Sequence, residues 1–400
     1  MKKYSVLFMG LWSLLSCSGQ PDLNANQAKE QKVVETQKNN VDRTFKVGAE
    51  NISKIVDLLK GKRFGFVGNQ TSQISNVHMV DTLLVLDIKP EVVFAPEHGF
   101  RGKKDAGEHI ENGKDAKTNI PIISLYGNHK KPTALDLQGL DVIVFDIQDV
   151  GVRFYTYIST LHYVMEACAE QNIKVVVLDR PNPNGGLVDG PLLEKEHASF
   201  VGMHPIPIAH GMTIGEYAQM INGEKWLGNG VECELEVVKC ENYNRLMSYS
   251  LPVKPSPNLP NAQSVMLYPS LCLFEGTTVS VGRGTKTPFQ IFGSPELNGD
   301  FSFTPKSGPG SKYPKHENKL CKGADLRKID ALTSLNLEWL IEAYKQSPQS
   351  FFKPFFTKLA GTKKLQEQIE KGLTEQEIKA TWKMNLEQFK KMRQGYLLYP

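Results

Sequence analysis

The chain has 400 residues, 40% of them hydrophobic and 22% charged, with a formal net charge of +4. That length suggests about two domains, and the composition is that of a globular protein. So small a net charge, without a dense basic run, gives no support to nucleic-acid binding. The N-terminus reads as an address. Lys2 and Lys3 precede a short apolar run, Val6–Leu15, below the length of a typical transmembrane helix. The run ends in Leu14-Leu15-Ser16-Cys17, which resembles a bacterial lipobox. A signal peptide over 1–17 is expected, with Cys17 carrying a lipid that tethers the protein to a membrane without spanning it. Ser18 provides no aspartate retention signal, so the expected location is the outer membrane, facing the periplasm. Residues 18–44 are polar, lack hydrophobic periodicity and read as a flexible tether.

From Phe45 to Cys240 the pattern alternates between helix and strand. Apolar spacing predicts a helix over Ile52–Leu59, and Arg63–Val67 reads as a strand that ends in Gly68-Asn69-Gln70-Thr71-Ser72. An amphipathic helix over His78–Leu86 precedes a strand at Val92–Ala95, which stops in Pro96-Glu97-His98-Gly99-Phe100-Arg101-Gly102. The polar connection from Glu97 to Asn119 has the length of a functional loop. Strands follow at Ile122–Leu125, before Tyr126-Gly127, and at Val142–Phe145, which ends in Asp146-Ile147-Gln148-Asp149-Val150-Gly151-Val152-Arg153. A helix over Tyr157–Gln171 places Ile158, Leu161, Val164, Met165 and Cys168 on one face. Lys174–Leu178 is the most β-like run and ends in Asp179-Arg180-Pro181-Asn182-Pro183-Asn184-Gly185-Gly186. A helix over Ile214–Ile221, with Thr213 and Glu216 as a capping box, and a strand over Glu234–Val238 complete the series. Such alternation predicts a parallel sheet covered by helices. Four strands then end in polar, turn-rich sequence on one edge, where ligands bind in open α/β sheets.

From about residue 250 the texture changes. Leu251–Pro260 carries four prolines, and the glycine-rich segment around Glu275 and Arg283 reads as mixed loops and strands of a second, smaller domain over 251–400. The last stretch, Leu365–Tyr399, predicts an amphipathic helix that buries Trp382, Leu386 and Phe389. Cys168, Cys233, Cys240, Cys272 and Cys321 match no metal or redox spacing and read as small buried residues.

The chain lacks Gly-x-Gly-x-x-Gly after its first strand, a phosphate-binding Gly-x-x-x-x-Gly-Lys-Ser/Thr loop and a Gly-x-Ser-x-Gly elbow. No cofactor is expected. Glu97 is the first candidate, because a glycosidase needs a carboxyl that protonates a leaving oxygen; the alternative is a glutamate that accepts backbone bonds in a tight turn. His98 would tune it, bind substrate or fill space. Glu97, His98, Asp105 and His109 have residue types that suit zinc, but their spacing matches no metal motif, so no metal is expected. Arg180 and Asn182, in a proline-stiffened loop, suit sugar hydroxyls or a carboxylate, and equally suit turn chemistry. Arg153 is a second candidate cation, and His210 precedes a helix from which it would face the cleft. Glu275 and Arg283 would face the cleft from the second domain or pair with each other.

Taken together, Gly68–Ser72, Pro96–Gly102, Phe145–Tyr155, Asp179–Pro183, Ser256-Pro257-Asn258 and the closing Tyr396-Leu397-Leu398-Tyr399 resemble the NamZ-like exo-β-N-acetylmuramidases, glycoside hydrolase family 171. The resemblance covers about residue 45 to the C-terminus. It implies a Rossmann-like α/β domain over 45–250 with helices on both faces, a smaller mixed α/β domain, and a site between them. It implies release of terminal N-acetylmuramic acid from the non-reducing end of peptidoglycan-derived disaccharides and glycan fragments, with Glu97 as the catalytic carboxyl. Asn69, Gln70, Gln148, Asp149, Tyr155 and Asn258 join the substrate-binding candidates. The lactyl carboxylate of the sugar would pair with Arg153, Arg180 or Arg283. Either the substrate's acetamido group or a second carboxylate, Asp149, Asp146 or Glu275, would act as nucleophile. Two other readings remain at this point, a lipid-anchored sugar-binding protein without turnover and a metal-dependent amidase or esterase.

Overall fold

A computed structural model describes residues 45–102 and 112–400. Lipobox Cys17, the tether, Asp105 and His109 therefore lie outside the described residues. In chain order the strands are β1 (Phe64–Gly68), β2 (Gln73–Ile74), β3 (Val77–His78), β4 (Val92–Ala95), β5 (Gly113–Lys114), β6 (Pro121–Ser124), β7 (Val142–Asp146), β8 (Lys174–Leu178), β9 (Leu235–Val238), β10 (Ile291–Ser294), β11 (Phe301–Phe303) and β12 (Cys321–Asp325). The helices are α1 (Ile52–Leu59), α2 (Met79–Val85), α3 (Tyr157–Glu170), α4 (Ile214–Gly223), α5 (Ala262–Leu271), α6 (Glu338–Gln346), α7 (Phe355–Ala360), α8 (Lys364–Glu370) and α9 (Glu375–Arg393).

Seven strands form one sheet in the order β5-β6-β4-β1-β7-β8-β9. All its pairings are parallel except β5 with β6. From β1 the chain steps outward through β4 to β6, then returns and steps the other way through β7, β8 and β9. That is the doubly wound Rossmann order, and its direction reverses between β1 and β7. The strands are apolar on both faces, as a sheet covered on both sides requires. Val93, Ala95, Val142, Val144, Val176 and Leu178 face one core, with α1 and α2 over them. Their alternates Val92, Phe94, Ile143, Phe145, Val175 and Val177 face a second core that includes α3 and α4. The period of two along each strand produces this division.

The C-terminal region adds a small antiparallel sheet, β10-β12-β11, and helices α5 to α9. Its apolar residues do not form a core of their own. Leu271, Phe274, Phe289, Phe356 and Phe389 belong to the same cluster as Phe94 and Phe145. The expected C-terminal helix is two helices, α8 and α9, with Ile378, Trp382, Leu386 and Phe389 buried along α9. The capping box of Thr213 and Glu216 is present at the start of α4. One expectation is corrected. The stretch just after the proline-rich segment forms helix α5, capped by Asn261 and carrying Pro269 inside it, where loops and strands were expected. The five cysteines from Cys168 to Cys321 are buried and free. Among the described residues no helix is long and apolar enough to cross a membrane.

Candidate active site

Glu97 stands two residues beyond the end of β4, after Pro96. Gly99 N donates to Pro96 O at 3.0 Å, and Gly102 N to Gly99 O at 3.3 Å, so the chain makes two consecutive turns there. His98 has φ +70° and Gly99 φ +77°. Two left-handed residues in succession turn the backbone away from the sheet. The rest of the motif fixes this turn in place. Phe100 is buried and meets the His78 ring edge-on at 4.5 Å. Arg101 donates to both oxygens of Asp81 and of Asp115 at 2.7–3.1 Å. A side chain at Gly102, itself at φ +67°, would strike Gln70.

Glu97 and His98 line a cavity of about 220 Å³. Tyr126 donates its hydroxyl to Glu97 Oε1 at 3.3 Å, and Thr156 Oγ1 donates to Oε2 at 3.4 Å. Tyr157 OH donates to the Glu97 backbone oxygen at 3.4 Å. The near wall is the aromatic run Phe154–Tyr157, which leads into α3. The far wall comes from the C-terminal region and includes Tyr268, Glu275, Arg283 and Leu359. Arg283 Nε donates to Glu275 Oε2 at 2.7 Å, so both alternatives expected for this pair hold at once. An acid, hydroxyls, aromatic faces and a cation around a concave space suit a polar sugar ring.

The other expected substrate residues divide by depth. Tyr155 lines the cavity and donates its hydroxyl to Pro255 O at 2.6 Å. Gln70 Nε2 donates to Lys254 O and Pro255 O at 3.3 and 3.2 Å. These two side chains hold the segment before Ser256, another lining residue, against the β1 and β7 ends. Asn258 is buried and donates to Gly310 O at 2.6 Å.

Gln148, Arg153, Arg180 and Asn182 do not line the cavity; they build the floor of the sheet edge. Gln148 Nε2 donates to Asp149 O and Pro181 O, both at 2.7 Å. Arg180 forms a two-pronged pair with Asp146. Asn182 Nδ2 donates to Met212 O at 3.0 Å. Gly151, at φ +78°, packs so tightly on Asn182 that a Cβ would lie 2.2 Å from its Nδ2. Arg153 is fully buried and donates to four carbonyls, those of Pro191, Ile206, Leu359 and Ala360, at 2.6–3.0 Å. It ties the loop after β8 to the C-terminal end of α7. Burial pushes its pKa down to about 9.

Asn69, Asp149 and His210 are likewise buried and do not line the cavity. Asn69 Oδ1 accepts from Thr71 N and Thr71 Oγ1 at 2.8 and 2.6 Å. Asp149 Oδ2 accepts from Gly151 N at 2.7 Å and stands 3.7 Å from His210 Nε2. Burial pushes the Asp149 carboxyl up to about 7 and His210 down to about 3. Asp146, with Asp149 a candidate second carboxylate, is fully buried against Arg180. Among the described residues of the cavity wall, Glu97 and Glu275 are the two carboxylates.

The sequence reading passed over Tyr126, Thr156, Tyr157 and Tyr268. For Tyr126 a signal was present, since Tyr-Gly follows a strand of the same sheet. Phe154-Tyr155-Thr156-Tyr157 likewise forms an aromatic run between a glycine turn and a helix. Tyr268 gave none, because α5 itself was hidden by Pro269 and by the prolines that precede the helix.

The two family models for the exo-β-N-acetylmuramidase NamZ match this chain, the N-terminal one over residues 64–263 and the C-terminal one over 266–399. The peptidoglycan β-N-acetylmuramidase NamZ of Bacillus subtilis is 40% identical over 375 residues, which covers 85% of this chain and 88% of that protein. Two solved structures of DUF1343 family proteins from Bacteroides fragilis superpose with TM-scores of 0.83 and 0.79, at 45% and 29% identity. Each covers 89% of this chain and 99% of the solved one. The chain belongs to the NamZ exo-β-N-acetylmuramidase family.

Proposed function

We propose that the protein is an exo-acting glycosidase that releases terminal β-linked N-acetylmuramic acid from the non-reducing end of peptidoglycan fragments, with Glu97 as the general acid. The carrying observation is the position of Glu97. It stands just beyond the end of a central strand beside the switch point, lines a sugar-sized cavity and has a hydroxyl on each carboxyl oxygen. A leaving glycosidic oxygen within reach of that carboxyl would take its proton as the bond breaks. The Rossmann-like part supplies Glu97, and the region beyond residue 250 supplies the opposite wall. A lipid on Cys17 would hold the enzyme at the outer membrane, facing periplasmic wall fragments; metabolic labelling with an alkyne fatty acid tests this, and Cys17→Ala should abolish the label.

The decisive measurement uses a chromogenic β-N-acetylmuraminide. The wild type should hydrolyse it, with full activity in chelator. Glu97→Gln should lower kcat by about 10²- to 10⁴-fold. Turnover near the wild-type rate in that variant would remove Glu97 from the chemistry.

A further inference from the structure

Resting on the muramidase reading, we propose that Arg283 is the residue that recognises the substrate's carboxylate and so distinguishes a muramic acid from a glucosamine residue. The two sugars differ by a 3-O-lactyl ether whose carboxylate is ionised at neutral pH. A site that selects the acid needs a cation on the cavity wall with donors to spare.

Three other cations do not qualify: Arg153 and Arg180 do not line the cavity, and Lys315 has no proton to spare. Arg153 gives its terminal nitrogens to four carbonyls. Arg180 is committed to Asp146 and Gln73 O. Lys315, half-buried in the C-terminal region, donates to Phe274 O, Thr277 O and Val279 O at 2.6–3.1 Å, which uses its three protons.

Arg283 differs. It lines the same cavity as Glu97, and its guanidinium carbon lies 5.1 Å from the centre of the Phe289 ring. The Glu275 carboxylate takes the Nε edge at 2.7 Å. Among the described residues, Nη1 and Nη2 make no hydrogen bond. A guanidinium offers two edges to planar acids. Here one edge is held by Glu275, the ring fixes the plane, and the remaining donors are left for a second carboxylate. Glu275 also balances the charge while the cavity is empty, so Arg283 is not an unpaired cation waiting in a partly desolvated wall.

The test compares the chromogenic muraminide with its lactyl methyl ester and with the matching N-acetylglucosaminide. Wild type, Arg283→Gln and Arg283→Lys are assayed, each checked by thermal melting. In the wild type, kcat/KM for the acid should exceed that for the ester by about 10- to 100-fold. Arg283→Gln should bring the ratio to within a few-fold, and Arg283→Lys should recover part of it. A wild type that treats acid and ester alike overturns the proposal whatever the variants do, as does an Arg283→Gln that keeps the full ratio. If the wild type hydrolyses none of the glycosides, the muramidase reading fails. Calorimetry with free N-acetylmuramic acid and its methyl ester then decides Arg283 by the same ratio.

Discussion

Arg180 grips Asp146 with Nε on Oδ1 at 2.6 Å and Nη2 on Oδ2 at 3.0 Å, and neither side chain is more than 2% exposed. Burial disfavours the guanidinium charge, but the carboxylate outweighs it and raises the Arg180 pKa. The pair joins the ends of β7 and β8, and Arg180 Nη2 also reaches Gln73 O at 3.2 Å. Breaking such a pair costs more than removing it, because the survivor stays buried without compensation. Arg180→Met should therefore lower stability by about 3–5 kcal/mol. The double variant Asp146→Leu/Arg180→Met should lose markedly less. Urea denaturation of both checks this; a double variant as unstable as the single one would contradict it.

Asp149 and His210 make opposite demands on pH. The Asp149 carboxyl is raised by burial from 3.8 to about 7, so between those values the folded chain holds a proton that the unfolded chain has released. That contribution is full below pH 4 and is lost as pH rises through 7. His210 is lowered from 6.5 to about 3, first by burial and then by Arg393 and Arg153, so its contribution grows over nearly the same range. Each proton amounts to about 1.4 kcal/mol per pH unit, and the two nearly cancel between pH 4 and 6.5. Asp149→Asn removes the falling part. Its stability should then climb with pH more steeply than the wild type's, by about 1.4 kcal/mol per unit across that window. Equal gradients, measured by denaturation at pH 4.5, 5.5 and 6.5, would mean that Asp149 is ionised in the fold.

The strand ends were legible because they break two patterns at once. An apolar run stops, and polar residues with proline or glycine follow. This located Glu97 and the β7 and β8 ends on one edge, and the alternation around them indicated the parallel sheet. What sequence does not carry is depth along that edge. Arg153, Arg180 and Asn182 have the composition of a sugar site, yet they satisfy carbonyls and carboxylates beneath it. A polar side chain at a strand end either faces the ligand or caps the turn that presents it, and only the packing decides. Glu275 and Arg283 were legible as a pair, while Tyr126, 29 residues along the chain from Glu97, reaches it only through the fold.

Helix α5 shows how a breaker is tolerated. Pro269 lacks the N–H that would bond the carbonyl four residues back, that of Val265. Asn184 supplies the missing donor, with Nδ2 3.2 Å from Val265 O and 2.9 Å from Val150 O. One side chain from the β8 loop thus closes a gap in a helix of the C-terminal region. Asn184→Ala should cost about 1–3 kcal/mol, since buried carbonyls lose their donor. Pro269→Ala restores the helix's own N–H, so Val265 O no longer depends on Asn184. In the Pro269→Ala background the cost of Asn184→Ala should shrink by about 1 kcal/mol, a coupling that a double-mutant cycle in urea measures directly. Strictly additive losses would mean that Asn184 stabilises the β7 end through Val150 alone.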